Sequence, residues 1–200
     1  MKETPMFDVA VIGSGPSGAS AALQLAENGI KAVIIEKETL PRYKTCGGGF
    51  VYRGRKNMPF DIASVVTREF NKIDLYFDKD KLHLTTERDA PIVSMIMRDD
   101  FDNLIVEKAK EAGVTLLEDH RLLDITFGTV NQLHTSQGIV EAKFIIAADG
   151  ALSRTAKIAG WEETRNMIPA LEYEVEVTPE DFKRLSQEVR FDFDAVPLGY

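Results

Sequence analysis

Two hydrophobic periods alternate along the first 160 residues. Residues 7–12 are apolar except for Asp8 and read as a buried strand. Residues 16–28 are rich in Ala and Leu, and Gly29 stands where a helix stops. Ala32–Ile35 is a second apolar run. Strand, helix and strand in such a short span predict a βαβ unit with parallel strands and a right-handed crossover. Residues 38–57 carry Pro41 and three successive glycines with little periodicity, and read as a long functional loop with room for a short helix. Residues 73–77, 82–86 and 92–96 read as strands. Residues 99–112 predict a helix with Phe101, Leu104, Ile105, Ala109 and Ala112 on one face. Asp99 or Asp100 can cap its start and Gly113 its end. Residues 114–117 follow as its partner strand. Residues 120–142 are short strands divided by Gly128 and Ser136-Gln137-Gly138, the pattern of an antiparallel meander. Residues 144–148 form a buried strand ending at Asp149-Gly150, and a helix is expected over 153–159. Beyond Trp161 the text changes. Residues 171–177 alternate apolar side chains with Glu172, Glu174 and Glu176, as in a half-exposed strand, and 191–193 alternate again. A domain change is expected at 161–168, and there is no internal repeat.

Composition narrows the class. The chain has 200 residues, 44% hydrophobic and 28% charged, which excludes collagen-like, low-complexity and disulfide-scaffold proteins and leaves enough apolar content for a core. Cys46 is the single cysteine, so no intrachain disulfide forms. No CxxC or HxxxH spacing occurs, so no metal site is expected. A lone thiol suits a reducing compartment. The N-terminal apolar run is too short and interrupted for a signal peptide, and no stretch approaches a membrane span, so a cytoplasmic location is expected. Net charge is −8, with ten Asp/Glu against four Lys/Arg in the last forty residues, and no nucleic-acid partner is expected.

The chemistry begins at the first turn. Gly13-Ser14-Gly15-Pro16-Ser17-Gly18 is a G-x-G-x-x-G run between a strand and a helix. Gly13 turns the chain, Gly15 lets backbone approach a pyrophosphate, and Gly18 lets helix pack on strand. The helix N-terminus offers free N–H groups to phosphates. Glu36 closes the second strand 21 residues after Gly15, where a carboxylate accepts from both ribose hydroxyls. A bound dinucleotide follows, NAD and FAD sharing this fingerprint. Asp149-Gly150 ends a buried strand at the carboxyl edge, where α/β sheets bind ligands. Ser153 reads as a helix cap. His83, His120 and His134 share no motif with it, which leaves a Ser/His hydrolase without support. Gly47, Gly48 and Gly49 would let a flat ring lie against backbone, and Arg42 and Lys44 would stabilise a Cys46 thiolate lying near them. Lys37, Lys44, Arg53, Arg55 and Lys56 form a basic stretch, read as a solvated loop or as a dock for a diphosphate or phospholipid headgroup.

The order of glycine motif, Glu36, the Arg98-x-x-Phe101-Asp102 helix, the meander and Ala148-Asp149-Gly150-Ala151-x-Ser153 resembles the p-hydroxybenzoate hydroxylase superfamily of FAD enzymes. The run Pro41-Arg42-Tyr43-Lys44-Thr45-Cys46-Gly47-Gly48-Gly49 resembles the geranylgeranyl reductase family within it. The resemblance implies an α/β fold: a Rossmann-like FAD-binding domain with parallel sheet and β-meander over residues 1–165, with residues 38–97 contributing to the substrate side. Residues 166–200 would begin an antiparallel substrate domain. It implies FAD as cofactor, bound by Gly13, Gly15, Pro16, Ser17, Gly18, Glu36, Lys37, Arg42, Cys46, Gly47, Gly48, Arg98, Leu122, Asp149 and Gly150. Arg98 would reach the FAD pyrophosphate or its ribose, as guanidinium geometry allows. Cys46 would be catalytic, positioning substrate or managing protons at the flavin ring. The implied reaction is reduction of C=C bonds in an isoprenoid or polyprenyl lipid, with NAD(P)H or ferredoxin as electron donor and peripheral contact with a membrane. A flavin monooxygenase or halogenase, or a non-catalytic dinucleotide-binding module, are the alternatives. The sequence departs from the family in lacking the later Gly-Asp motif and in being about half its usual length. Its Pro197-Leu198-Gly199-Tyr200 resembles the opening of the family's P-x-G-Y-x-W-x-F-P segment, so an N-terminal piece of a longer protein is expected.

Overall fold

A computed structural model describes residues 6–77, 79–162, 164, 167, 169–187 and 189–193. In chain order its strands and helices begin with β1 (Met6–Ile12), α1 (Pro16–Glu27), β2 (Ala32–Ile35), β3 (Gly49–Val51) and α2 (Tyr52–Lys56). There follow β4 (Val66–Phe70), β5 (Lys72–Phe77), β6 (Leu82–Glu87), β7 (Val93–Ile96), α3 (Arg98–Glu111) and β8 (Thr115–Leu117). The remainder are β9 (Leu122–Thr126), β10 (Asn131–Thr135), β11 (Gly138–Ala147), α4 (Arg154–Ile158), α5 (Pro179–Leu185) and β12 (Val189–Phe193). The chain divides into two compact units, residues 1–44 with 98–169, and residues 45–97 with 170–200.

The first unit is built on a six-stranded sheet of order β8-β2-β1-β11-β10-β9. β1 lies between β2 and β11 and is parallel to both, with Ile12 opposite Ile35 on one side and Ala147 on the other. β9, β10 and β11 are the antiparallel meander. Strand β11 is one continuous strand where two were expected, because it runs from the meander into the parallel sheet without a break. The core follows from the apolar runs. Phe7, Ala10, Ile12, Val33 and Ile35 pack with Leu122, Ile125, Leu133, Val140 and Ala142. Val33, Ile34 and Ile35 are all essentially inaccessible, each worth up to about 2 kcal/mol of transfer free energy. Helix α1 packs on β1, β2 and α3. The buried face of α3 is Phe101, Asp102, Ile105, Val106 and Ala109, so a carboxylate sits within the apolar stripe and Leu104 is only half-buried.

The second unit holds two three-stranded sheets, β12-β5-β6 and β3-β7-β4. β5 is antiparallel to β6 and parallel to β12. Alternation puts Ile73, Leu75 and Phe77 on one face of β5, where Phe77 stacks on Phe193 at 4.8 Å. The other face centres on Asp74, which is 1% exposed. Its carboxylate accepts from Thr85 Oγ1, lies 2.7 Å from His83 Nε2 and is 3.0 Å from Lys72 Nζ. The long loop resolves into β3 and the short helix α2, and β4 and α5 were not foreseen.

Two further expectations are corrected. Residues 144–147 are strand but not buried, Phe144 being 68% exposed. Residues 171–177 form no strand. Alternation stabilises a strand only through a partner ladder, and none of the described residues pairs with them, so Leu171, Tyr173 and Val175 stay 73–80% exposed. The segment 197–200 lies outside the described residues.

Glycine 18 sets a steric test of the first unit. A Cβ on it would sit 2.0 Å from the Gly13 carbonyl oxygen, a backbone atom that cannot swing aside. Gly18→Ala is therefore expected to cost about 2 kcal/mol or more in urea unfolding. An unchanged midpoint would show that the α1–turn contact is looser than described.

Candidate functional site

Three parallel strands end together. Gly13 N donates to Ile35 O and Ala148 N donates to Ile12 O, both at 2.9 Å, so the turns after β1, β2 and β11 are stitched side by side. Gly13 has φ +97°, and a Cβ there would meet the Ala148 carbonyl oxygen at 2.7 Å. Glycine is thus required at 13 by both conformation and space. Pro16 is the first residue of α1, where its missing N–H costs nothing, and Ser17 is exposed in the first turn.

Glu36 continues β2 and is 3% exposed. Its Oε2 accepts from Ser14 N at 2.8 Å and from Ser14 Oγ at 2.6 Å. Its Oε1 accepts from Glu38 N at 3.0 Å and lies 3.9 Å from Arg42 Nε. Burial pushes this carboxyl up, but the Ser14 and Glu38 hydrogen bonds and the Arg42 charge outweigh it and hold the group below the ordinary glutamate range. Arg42 Nη1 donates to Asp102 Oδ2 at 3.2 Å. Asp102 is fully buried and also accepts Arg98 Nε at 2.7 Å and Arg98 Nη2 at 2.9 Å. A Cβ at Gly15 would come within 3.9 Å of Arg42 Nη2, its nearest neighbour there. Gly13, Ser14, Gly15, Gly18, Glu36, Arg42, Arg98 and Asp102 thus form one connected edge. Arg98 begins α3 rather than preceding it.

Asp149 follows β11 and its side chain serves the next turn. It accepts from Ser153 Oγ at 2.5 Å, and from Thr155 N and Thr155 Oγ1 at 2.9 Å. Burial raises its carboxyl, but those donors hold it below the ordinary aspartate range. Ser153 caps α4, accepting from Ala156 N at 3.0 Å. Gly150 has φ +87° with open space around it. Leu122 opens β9 as a core residue, 5% exposed. Lys37 is exposed and 3.5 Å from Glu38 Oε1.

In the second unit Cys46 is exposed, and its amide donates to Glu172 Oε2 at 2.7 Å. Gly48 has φ +71° and exchanges close contacts with β7. A Cβ there would lie 2.4 Å from Ile96 O, and Ile96 N donates to Gly48 O at 3.0 Å. The close approach of β7 accounts for glycine at 48, while Gly47 faces open space.

Ser14 and Asp102 stand inside the recognised motifs, but motif reading assigns neither of them a role. Ser14 occupies a position the motif leaves open. Asp102 is four residues after Arg98, a spacing that pairs opposite charges on a helix. The residues fit an ADP moiety: two glycines cradle backbone at the strand ends, Gly15 leaves the loop open toward a ligand, a buried acceptor stands at the end of β2 with the Arg42 guanidinium beside it, and Arg98 shares Asp102 with Arg42.

The chain is 30% identical over 199 residues to an uncharacterized protein of Methanosarcina barkeri, covering 97% of this chain and 50% of that protein. It is 27% identical over 217 residues to the digeranylgeranylglycerophospholipid reductase 1 of Methanopyrus kandleri, covering 97% of this chain and 53% of that one. It spans about half the length of these curated relatives. A geranylgeranyl bacteriochlorophyll reductase-like crystal structure from Thermoplasma acidophilum matches with TM-score 0.69 and 25% identity, over 78% of this chain and 42% of that one. Flavin-dependent halogenases share the fold at lower identity, one of them crystallised with phloroglucinol and FAD at 18% and TM-score 0.65.

Acid tests the Glu36 and Asp149 contacts. A carboxyl held low in the folded state contributes stability above its unfolded value and loses it as pH falls. The chain is expected to lose stability as pH drops below roughly 4, with Glu36→Gln less stable at pH 7 and flatter in its acid dependence. Urea midpoints at neutral and acid pH measure both, and parallel curves for variant and wild type would contradict the assignment. The description "FAD binding domain" matches residues 6–194, and the glycine turn, buried acid and paired guanidiniums lie within that span. The chain belongs to this family of FAD-binding domains, and FAD is its cofactor.

Proposed function

We propose that the protein is an FAD-dependent reductase acting on C=C bonds of an isoprenoid or polyprenyl lipid. The observation that carries this reading is the loop from Pro41 to Gly49, whose residues resemble the geranylgeranyl reductase family, joined to an ADP-binding edge of suitable chemistry. The digeranylgeranylglycerophospholipid reductase among its relatives supports the same substrate class.

In this reading the amides of residues 13–18 and the α1 N-terminus hold the pyrophosphate, with Pro16 and Ser17 in that first turn. Glu36 accepts from a ribose hydroxyl on the lone-pair positions that Ser14 and Glu38 leave, and Lys37 stands beside it. Arg42 and Arg98 offer guanidinium forks to phosphate or ribose oxygens. Asp149-Gly150 presents backbone at the third strand end, Gly150 being able to take a close approach without a side chain. Leu122 supports the site from the core beneath. When bound, reduced FAD supplies a hydride. Cys46 positions the alkene or hands over the balancing proton, with Gly47 keeping the neighbouring backbone bare. The basic residues Arg53 and Lys56 offer an anionic lipid headgroup a local cationic contact at a membrane edge, on a chain that is otherwise acidic. NAD(P)H or ferredoxin supplies electrons.

Two measurements test the reading. Chemically reduced FAD, the protein and a geranylgeranyl-bearing lipid are incubated without oxygen. Mass spectrometry is expected to show two added hydrogens per reduced double bond. An unchanged lipid, together with rapid oxygen consumption and a hydroxylated product in air, would move the protein to the monooxygenases. Cys46→Ala is expected to lower turnover by about a hundredfold, the scale of a lost proton-handling group. Full turnover in that variant would remove Cys46 from the chemistry.

A further inference from the structure

We infer that Asp102 is the positioning residue of the FAD site, holding Arg98 at the start of α3 and fixing Arg42 beside the glycine turn. The inference rests on the reading of Gly13, Gly15, Glu36, Arg42 and Arg98 as the ADP-binding edge.

Asp102 stands on the inward face of α3 between Phe101 and Ile105, with no exposed surface. A carboxylate in that place is costly unless its charge is matched. It is matched twice. Arg98 lays two N–H groups across both oxygens, at 2.7 and 2.9 Å, and Arg42 adds a third bond at 3.2 Å. Two guanidiniums so close repel one another, and the shared carboxylate is what lets them stand side by side. Arg42 then spans from Asp102 to Glu36, 3.9 Å away, and to the turn at Gly15. One buried oxygen pair therefore ties the start of α3 to the end of β2 and to the glycine turn. The long arginine side chains are held before a ligand arrives, which reduces the ordering they would otherwise undergo on binding. Asp102 acts through the arginines and lies beneath the surface that receives the cofactor.

Two physical accounts of Asp102 differ in sign. As a mere negative charge near phosphates it opposes binding, and its loss tightens binding. As a positioning residue it favours binding, and its loss loosens it. Asp102→Asn keeps the shape and removes the charge. Titration of the folded protein with FAD and with ADP, followed by flavin fluorescence and calorimetry, is expected to show about tenfold weaker binding of both. In a background with both Arg42→Ala and Arg98→Ala the same change is expected to add little, because both arms it holds are gone. Melting without ligand reports the folded fraction separately. Asp102→Glu keeps the charge and displaces the oxygens, and is expected to weaken binding several-fold, so it decides the matter if the Asn variant does not fold. Wild-type affinity or tighter in a folded Asn or Glu variant would overturn the positioning role. A wild-type chain that binds neither FAD nor ADP would overturn the ADP-binding edge itself, a distinguishable result.

Discussion

A carboxylate that closes one strand end onto the turn of its neighbour organises the first unit. Glu36 is nearly inaccessible, and leaving it there without donors would be prohibitive. Ser14 supplies two hydrogen bonds and Glu38 a third. In return the turn after β1 is pinned to the end of β2. Gly13 can then hold its left-handed conformation against Ala148, which brings the end of β11 to the same place. The sheet order, with β1 central and parallel to both neighbours, makes this convergence unavoidable. The arginine pair extends it to α3.

Both units bury an aspartate among nitrogen-bearing side chains. In the first, Asp102 faces two guanidiniums; in the second, Asp74 faces Lys72 and His83 under a Tyr76 ring that stacks on His83 at 4.1 Å and carries Arg190 at 3.9 Å on its ring. Burial makes such carboxylates sensitive to the loss of any one partner, since removing a cation leaves an uncompensated charge. They specify arrangement more than they add stability.

Much of the first unit was legible because its rules are local. Gly13 and Gly18 are dictated by backbone geometry within a few residues, and Glu36 by a fixed spacing. The apolar runs of β1 and β2 carry no competing signal. Legibility failed where the deciding partner is distant. The Ser14–Glu36 bonds join residues 22 apart, and the Arg42–Asp102 bond spans 60. Asp102 stands within the Arg98-x-x-Phe101-Asp102 helix motif but had no assigned place in the core, because a helical pattern cannot announce that two arginines will neutralise a buried carboxylate. Gly48 was read as space for a ring, while its neighbour is a strand carbonyl from Ile96. The alternation at 171–177 predicted a strand from side chains alone, and a ladder needs a second chain segment. The basic loop resolved differently again: Arg55 bonds to Glu69 and Arg88 lies over Tyr52, so part of that stretch serves its own unit.

The pairing of β1 with β11 sets a schedule for synthesis. Val9 lies opposite Phe144, so the central strand waits for 135 further residues before its second neighbour exists. Everything in the first stretch of the second unit must leave the ribosome in between. Long-range parallel pairing of this kind is slow, because loop closure precedes any reward from contacts. During that interval the open edge of β1 and its apolar faces are a target for chaperones and for stray strands. The nucleotide edge is therefore completed late, and nascent chains stalled before residue 144 would carry the glycine motif without the β11 end that completes its edge.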